Sequence, residues 1–500
     1  MKNPQSTEKV NNPKLTLYAF HLRNNLALGF EEPVETANLL WTKCEELGEK
    51  LQVPRLQFLR ERLTKEWGSS IGVSPHNEKQ PSDYLELLPI NEYGKRLLHF
   101  SPITESTDLK MRGEIYALQI HDTYAIDLTL RYPYQNIDLA KIHNLNYKDC
   151  LLSNQIQASL GQTLVLFTQP ASSIQNSETL AKNCVEFLLS PFEANKLLKT
   201  APYAGKFLGS PIFEYESGDD NPSQNLHLLI WLNSDPETES LEAQGDYCQR
   251  LINLLYCRSR ILYTYFQSRQ CNQKARSIYK IIETKFQDFK NPPSTSNERL
   301  KQFKQLLTEM PQQAFDYANH LRDFEIYINT LETNAKNYRA CLERLQEISL
   351  KDKDNLDFLQ KFLTRTETML IEQIRVDLGY LMPAQKLFDQ MISTVRGIVE
   401  IEQAEREKSL ERTIQILGTG LGAGGIIASA ISGHITVPMV WPNHPKADEI
   451  HPAIHTTVWS LVAFLAFAGF TAAINGWFAD RLAKRKRQQQ EKSAKKPTGI

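Results

Sequence analysis

The sequence predicts an α+β protein: a mixed α/β domain, then a region of long bundled or coiled-coil-like helices, then two transmembrane helices near the C-terminal end. Three observations predict it. Runs of alternating apolar and polar residues recur up to about residue 235, a Leu/Glu/Gln/Lys/Arg-rich stretch nearly free of Gly and Pro follows, and two long uncharged runs come after that. The expected division is a cytoplasmic α/β domain at 1–235, a long-helix domain at 236–412, spans at 413–437 and 456–479, an external loop at 438–455 and a basic cytoplasmic tail at 480–500.

In the first domain, Leu15 to Ala19, Tyr116 to Ile120 and Ile126 to Leu130 alternate as half-buried strands do, and His121-Asp122-Thr123 would close a hairpin between the last two. Leu164 to Phe167 and Leu226 to Leu232 suit central strands. Glu35 to Gln52 and Leu180 to Leu198 carry helical spacing between them, so a small sheet with helices packed on it is expected. The N-terminal residues are polar, and no secretory signal is expected there.

Beyond 236, Asn291-Pro-Pro-Ser-Thr-Ser breaks the helical texture, and Thr295 with Glu298 has the spacing of a capping box. One heptad seam runs Ala314, Tyr317, Leu321, Phe324, Ile328, Leu331, Ala335, Tyr338, Leu342, Leu345, and an intramolecular bundle would bury it. A second runs Leu381, Ala384, Phe388, Met391, Val395, Ile398. It leads through IEQAEREKSLERT towards the first uncharged run, so one helix is expected to pass from cytosol into membrane, with Pro383 at its start or at a kink.

Thr413 to Val437 and Thr456 to Ala479 carry no full charge, and each reaches the roughly 20 residues needed to cross about 30 Å of hydrocarbon. Trp459 and Trp477 lie about 27 Å apart at helical rise, the separation of two interfacial aromatics. The net charge of the chain is only -1, but basic residues crowd its last stretch: Arg481, Lys484, Arg485, Lys486, Arg487, Lys492, Lys495 and Lys496 against Glu491. That polybasic end places the tail on the cytoplasmic face, and an even number of spans returns the N-terminal domain to the same face of an inner or plasma membrane. The tail is also suited to anionic lipid.

Within the first run, Gln415, Gly418, Gly422, Gly425, Ser429, Ser432 and Thr436 share one helical face of small or polar residues, opposite Leu417, Leu421, Ile431 and Ile435. Such a face points at protein or water. It serves either close helix packing through Gly418xxxGly422 and Gly425xxxSer429 or the wall of a pore in a ring of identical subunits. Gly420-Leu-Gly422-Ala-Gly-Gly425 matches the dinucleotide-binding GxGxxG, but a charged helical stretch precedes it instead of a strand, which excludes that reading.

This layout resembles the CorA family of divalent-cation channels: an α/β cytoplasmic domain, long helices, one helix entering the first of two spans, a short external loop and a basic tail. The resemblance implies a homo-oligomeric membrane channel or transporter for ions, gated by its cytoplasmic domain. In that family a Gly-Met-Asn motif closes the first span. Here Gly433-His434-Ile435 stands there, so magnesium selectivity does not carry over. The alternative is a membrane-anchored sensor, scaffold or defence effector without a conducting pore.

No nucleophile elbow, metalloprotease motif, P-loop or paired Cys/His set is present, so neither an enzyme nor a cofactor is expected, and nothing suggests a nucleic-acid partner. The seven cysteines are scattered without CxxC pairs and suit reduced core thiols. The lipid bilayer and further copies of the chain are the expected partners. A metal ion is a further candidate through His444, His451, His455, Asp448 and Glu449 of the external loop with His434, although Pro452 interrupts the helical spacing and ordinary polar loop residues explain the set better.

Overall fold

The computed structural model describes residues 8–24, 33–67, 84–102, 110–133, 135–171, 176–291, 293–350 and 353–432, with isolated helical positions between 461 and 481. The strands are β1 (Lys9–Leu22), β2 (Tyr84–Glu86), β3 (Leu98–Phe100), β4 (Arg112–Ile120), β5 (Thr123–Arg131), β6 (Asn136–Asp138), β7 (Gly161–Pro170), β8 (Tyr203–Phe207), β9 (Ser210–Glu216) and β10 (His227–Leu232). The helices are α1 (Leu39–Lys50), α2 (Pro54–Gln57), α3 (Leu59–Trp67), α4 (Ser153–Ile156), α5 (Ser177–Leu188), α6 (Pro191–Leu197), α7 (Pro236–Gln244), α8 (Asp246–Lys290), α9 (Ser296–Glu347), α10 (Asp357–Arg365) and α11 (Ile371–Ser432). The chain adopts the expected α+β class; the structure has one large sheet and long helices.

The strands form one mixed sheet in the order β2-β4-β5-β1-β7-β10-β9-β8, with β3 also on β4 and β6 on β1. All pairings are antiparallel except β7 with β10. The β4–β5 hairpin turns at His121 and Asp122, where His121 takes a positive φ of 51°. β1 is the central strand, with Leu15 opposite Leu130 on one side and Leu166 on the other. Because side chains alternate along a strand, Leu15, Leu17, Ala19, Ile126, Leu128, Leu164, Leu166, Leu228 and Ile230 share one face. They join Leu40, Trp41 and Cys44 of α1 and Leu180, Cys184 and Val185 of α5 in a single apolar core. The cysteines in that core are free.

The other face holds Lys14, Thr16, Asp127, Thr129, Thr163, Glu214 and Glu216 among Phe20, Phe167 and Trp231. It packs against α8. Tyr247 lies 5.3 Å from Trp231 and Tyr256 lies 5.9 Å from Phe20, ring centre to ring centre.

The chain divides into two compact units, residues 1–283 with 313–387, and 284–312 with 388–500. In the first, α9 buries Tyr317, Leu321, Phe324, Leu331, Ala335, Tyr338, Leu342 and Leu345 of the first seam. The Tyr317 hydroxyl donates to the Leu381 carbonyl of α11 at 2.8 Å, and that of Tyr338 to the Leu359 carbonyl of α10 at 3.2 Å, so the seam closes within the chain. In the second unit, α9 buries Leu300, Phe303, Leu306 and Met310, and α11 buries Phe388, Met391, Val395 and Val399. Val399 thus replaces Ile398 of the second seam, which is only half-buried. Arg299 pairs with Glu402 at 2.6 Å. The Thr295 hydroxyl donates to the Glu298 carboxylate at 2.6 Å, so this pair is joined side chain to side chain.

Two expectations need correction. Pro383 does not start the helix: α11 begins at Ile371, joined to α10 through a wider π turn at Thr366–Leu370, and runs past Pro383. The missing N–H of Pro383 strands the carbonyl of Gly379, an exposed residue with open space around it, where water can take that carbonyl. The sheet is also larger than a small one, because β8 and β9, whose residues include Lys206, Glu214 and Glu216, extend it.

Among the described residues, no helix is long and apolar enough to cross a membrane. Of the run at 413–437, the backbone of α11 is described to Ser432, and the side chain of Ile414 alone. The loop at 438–455 lies outside the described residues, and so do most of 456–479 and the tail beyond Arg481.

Helical glycines give a direct test of this packing. Replacing an exposed helical Gly by Ala normally gains up to about 1 kcal/mol. A Cβ on Gly48 in α1 would sit 2.7 Å from Leu56 Cβ and 2.9 Å from the backbone nitrogen of Gln57, whereas one on Gly379 would meet nothing within 4 Å. Gly48→Ala is therefore expected to destabilise the purified chain and Gly379→Ala to stabilise it, as read by chemical unfolding; the opposite order would contradict the α1–α2 packing.

Candidate functional site

The polar face of the sheet beneath α8 gathers a buried hydrogen-bonded chain. The alternation of β9 puts Glu214 and Glu216 on this face, β10 contributes His227, β7 contributes Thr163, and α8 lowers Arg258 onto them. The Arg258 guanidinium lies 2.8 Å from Glu216 Oε1 and 3.8 Å from Glu214 Oε1, with the Phe362 ring 4.8 Å away. His227 Nε2 lies 2.9 Å from Glu214 Oε1, its Nδ1 lies 2.8 Å from Thr163 Oγ1, and Asn225 Nδ2 donates to Glu216 at 2.7 Å.

Burial pulls the His227 imidazole below its ordinary value, and Arg258 adds to that. A neutral ring at pH 7 then donates from Nε2 to Glu214 and accepts the Thr163 hydroxyl at Nδ1. Burial would raise Glu216, but Arg258 outweighs it, with help from His227 and Asn225, and holds the carboxyl at about 2.

Thr163–His227–Glu214 has the connectivity of a nucleophile, a base and an orienting acid. Access separates it from a catalytic triad. Thr163 and His227 are each 2% exposed and Glu214 is 7% exposed, beneath a helix, so no substrate reaches the hydroxyl. The arrangement satisfies buried polar groups and fixes α8 on the sheet. Arg260, two residues on, adds a second tie, 3.1 Å from Asp122 in the hairpin turn.

Nearer the start of α8, Lys14 is ion-paired with Glu242, and the Tyr247 hydroxyl donates to the same carboxylate at 3.1 Å. Burial pulls the Lys14 ammonium down, but Glu242 more than offsets this and leaves it raised. Asp127 faces Lys14 from β5. Burial pushes its carboxyl up to about 7, Lys14 opposing and Glu114 reinforcing the shift.

A third group spans α8 and α9. Cys271 Sγ lies 3.7 Å from His320 Nδ1 and 3.4 Å from the His320 carbonyl, and the donor atoms of Cys271, His320 and Asp323 all lie within 4.8 Å of one another. Burial raises the Cys271 thiol to about 12. Burial also lowers His320, and Lys274 acts in the same direction against Asp323 and Asp316. A neutral imidazole, a thiol and a carboxylate in reach of one another form a ligand set for a borderline-soft metal ion.

Of the residues singled out from sequence, Gln415, Gly418, Gly422, Gly425, Ser429 and Ser432 lie on the backbone of α11, with side chains outside the described residues. Gly420 to Gly425 is helical, without the preceding strand that a nucleotide-binding turn requires. Thr436, Lys484, Arg485, Lys486, Arg487 and the loop set His434, His444, Asp448, Glu449, His451 and His455 lie outside the described residues. Arg481 is described: its guanidinium stacks 4.3 Å over the Trp477 ring. Sequence reasoning missed both Arg258 with its partners and the Cys271 group. The only local signal of the latter was His320 and Asp323 at i and i+3 on a helix.

No family model, curated protein or solved structure matches the chain.

Asp127 supplies a pH test. Its folded pKa is raised above the unfolded value of 3.8 towards about 7, so its contribution to stability is complete below pH 3.8 and is lost as pH rises through 7. Asp127→Asn should therefore unfold at higher denaturant concentration than the parent at pH 8, with the difference shrinking towards pH 4. A variant less stable at pH 8 would show that the charged carboxylate is the favoured form.

Proposed function

We propose that the chain is a two-span membrane protein whose sheet-bearing cytoplasmic unit acts on the membrane through α11, as an oligomeric ion channel or transporter of CorA-like build. The observation that carries this reading is the continuity of α11 from Ile371 to Ser432. The helix that buries Ile374, Asp377 and Leu381 in the first unit also contains most of the first uncharged run. A helix is the element that spans hydrocarbon with every backbone group satisfied.

Two further observations support it. Leu461, Val462, Leu465, Phe470 and Trp477 in the second uncharged run are all about half exposed or more, an arrangement that is costly in water and favourable in lipid. Trp477 with Arg481 stacked on it suits the boundary where hydrocarbon gives way to a basic cytoplasmic surface. Leu410 and Ile414 of α11 are also exposed in the single chain, and neighbouring copies of the helix would cover them.

In this reading Gln415, Gly418, Gly422, Gly425, Ser429, Ser432 and Thr436 line the conducting path, and Arg481, Lys484, Arg485, Lys486 and Arg487 sit at the cytoplasmic lipid surface. The second reading, an anchored sensor, scaffold or effector without a pore, is favoured by the Gly418xxxGly422 spacing, which equally suits close packing of the two spans.

Topology is tested by introduced cysteines. One placed between Pro438 and His455 should react with an impermeant thiol reagent in intact cells, and one in 481–500 should react only after lysis. The reverse pattern, or labelling of neither site in lysed cells, would remove the two-span arrangement.

The stripe separates the two functions. In a channel, cysteines at Gly422, Gly425 and Ser429 react with small aqueous reagents, and Gly425→Leu blocks flux while the oligomer still assembles. Unreactive cysteines at all three positions, together with failed assembly of Gly425→Leu, would leave the anchored reading.

A further inference from the structure

We propose that Cys271, His320 and Asp323 bind a divalent transition-metal ion of the zinc class, which staples α8 to α9 within the sheet-bearing unit. The proposal is independent of the membrane reading, because all three residues belong to the first compact unit.

The geometry is what zinc needs. His320 and Asp323 are one helical turn apart on α9 and therefore point from the same face, while Cys271 approaches from α8. Bonds of about 2.0–2.3 Å to a tetrahedral ion hold neighbouring ligand atoms roughly 3.5 Å apart. The Sγ to Nδ1 distance of 3.7 Å already meets this, and the 4.8 Å limit on the whole set leaves only a small side-chain adjustment.

The donor chemistry is selective. One sulfur, one imidazole nitrogen and one carboxylate oxygen suit zinc and its neighbours and disfavour calcium and magnesium, which take oxygen cages. Cys271 is buried whereas His320 and Asp323 are half-buried, so the site is anchored from within and reached from the side, leaving a fourth position for water. On binding, the Cys271 S–H bond breaks, its proton passes to solvent and a sulfur–metal bond forms. Thiolate and carboxylate together then neutralise the ion. Lys274 opposes the incoming cation, and Asp316 on the opposite helix counters it.

No other trio of His, Cys, Asp or Glu donors among the described residues converges in this way. Cys271 has a second available role, a weak hydrogen bond to the His320 carbonyl at 3.4 Å. That contact would account for the cysteine alone. Asp323 also accepts from Arg322 at 2.9 Å, a pair whose arginine is exposed, and neither contact requires the carboxylate to lie beside both the thiol and the imidazole.

The test uses the purified full-length chain, reduced, stripped of metal and titrated with cobalt(II), then zinc. The expected result is one equivalent of cobalt with a sulfur-to-metal charge-transfer band and the visible bands of a tetrahedral ion, both erased by zinc, and a higher melting temperature with zinc. Cys271→Ser should abolish the charge-transfer band, His320→Ala and Asp323→Asn should weaken binding more than about tenfold, and Cys341→Ser should change nothing. Should Cys271→Ser fail to fold, zinc protection against alkylation is read in the parent protein by peptide mass mapping: Cys271 should be protected and Cys248 should not. Absence of stoichiometric binding, a charge-transfer band that survives in folded Cys271→Ser, or protection confined to other cysteines would each overturn the proposal.

Discussion

A guanidinium placed between a sheet and a helix must be paired, and the pairing of Arg258 governs how the sheet-bearing unit assembles. Leaving such a charge uncompensated costs about 3–5 kcal/mol, so α8 can settle only where Glu216 and Glu214 are both in reach. That requirement fixes the register of α8 along the sheet far more tightly than the greasy contacts of Trp231 with Tyr247 or Phe20 with Tyr256, which tolerate sliding. It also contributes to the neutrality of His227. Burial already disfavours the imidazolium, Arg258 on the carboxylates disfavours a second positive charge further, and the imidazole bridges Thr163 and Glu214.

The parts of this fold that were legible in sequence are those specified by neighbours along the chain. Ile126 to Leu130 alternates cleanly because Ile126, Leu128 and Leu130 are in the apolar core, Tyr116 to Ile120 because Leu118 and Ile120 are buried on the opposite face, and His121-Asp122 supplies a turn that tolerates positive φ. Tyr317 to Leu345 repeats at heptad spacing because α9 buries a continuous stripe. β9 was not legible for the opposite reason: Glu214 and Glu216 look solvent-facing until Arg258, more than forty residues later, is placed on them. That Pro383 lies within α11 and does not start it is hidden for the same reason, since its fit there depends on the open surroundings of Gly379. The Cys271, His320 and Asp323 group belongs with these. Nothing local marks Cys271 as different from the other buried thiols, and only the pairing of two long helices brings the three donors together.

α8 is therefore better regarded as a spine than as one member of a bundle. Along its length it meets the sheet through Arg258 and Arg260, α9 through Cys271 opposite His320, and α11 through Arg269 and Arg276, which both pair with Asp377. Asp377 is only 3% exposed and carries two arginines, so it ties the early part of α11 to α8 by the logic that ties α8 to the sheet.

These ties bear on how the sheet could act on anything that α11 reaches. Apart from the exposed Arg276, these are buried or half-buried polar contacts, and packed interfaces of this kind change by discrete steps instead of deforming gradually. A shift of α8 that kept Arg258 on Glu216 would have to break or move the Asp377 pairs, and one that kept both would have to strain the Cys271 contact with α9. Any motion that began at the sheet would thus arrive at the early part of α11 as a choice between arrangements. The small cost of moving an exposed ion pair, usually under about 1 kcal/mol, would not enforce that choice. Burial of Asp377 and Arg258 would enforce it, so a rearrangement of the sheet would be felt at the contact between α8 and the early part of α11 before it was felt on the exposed surface of the sheet.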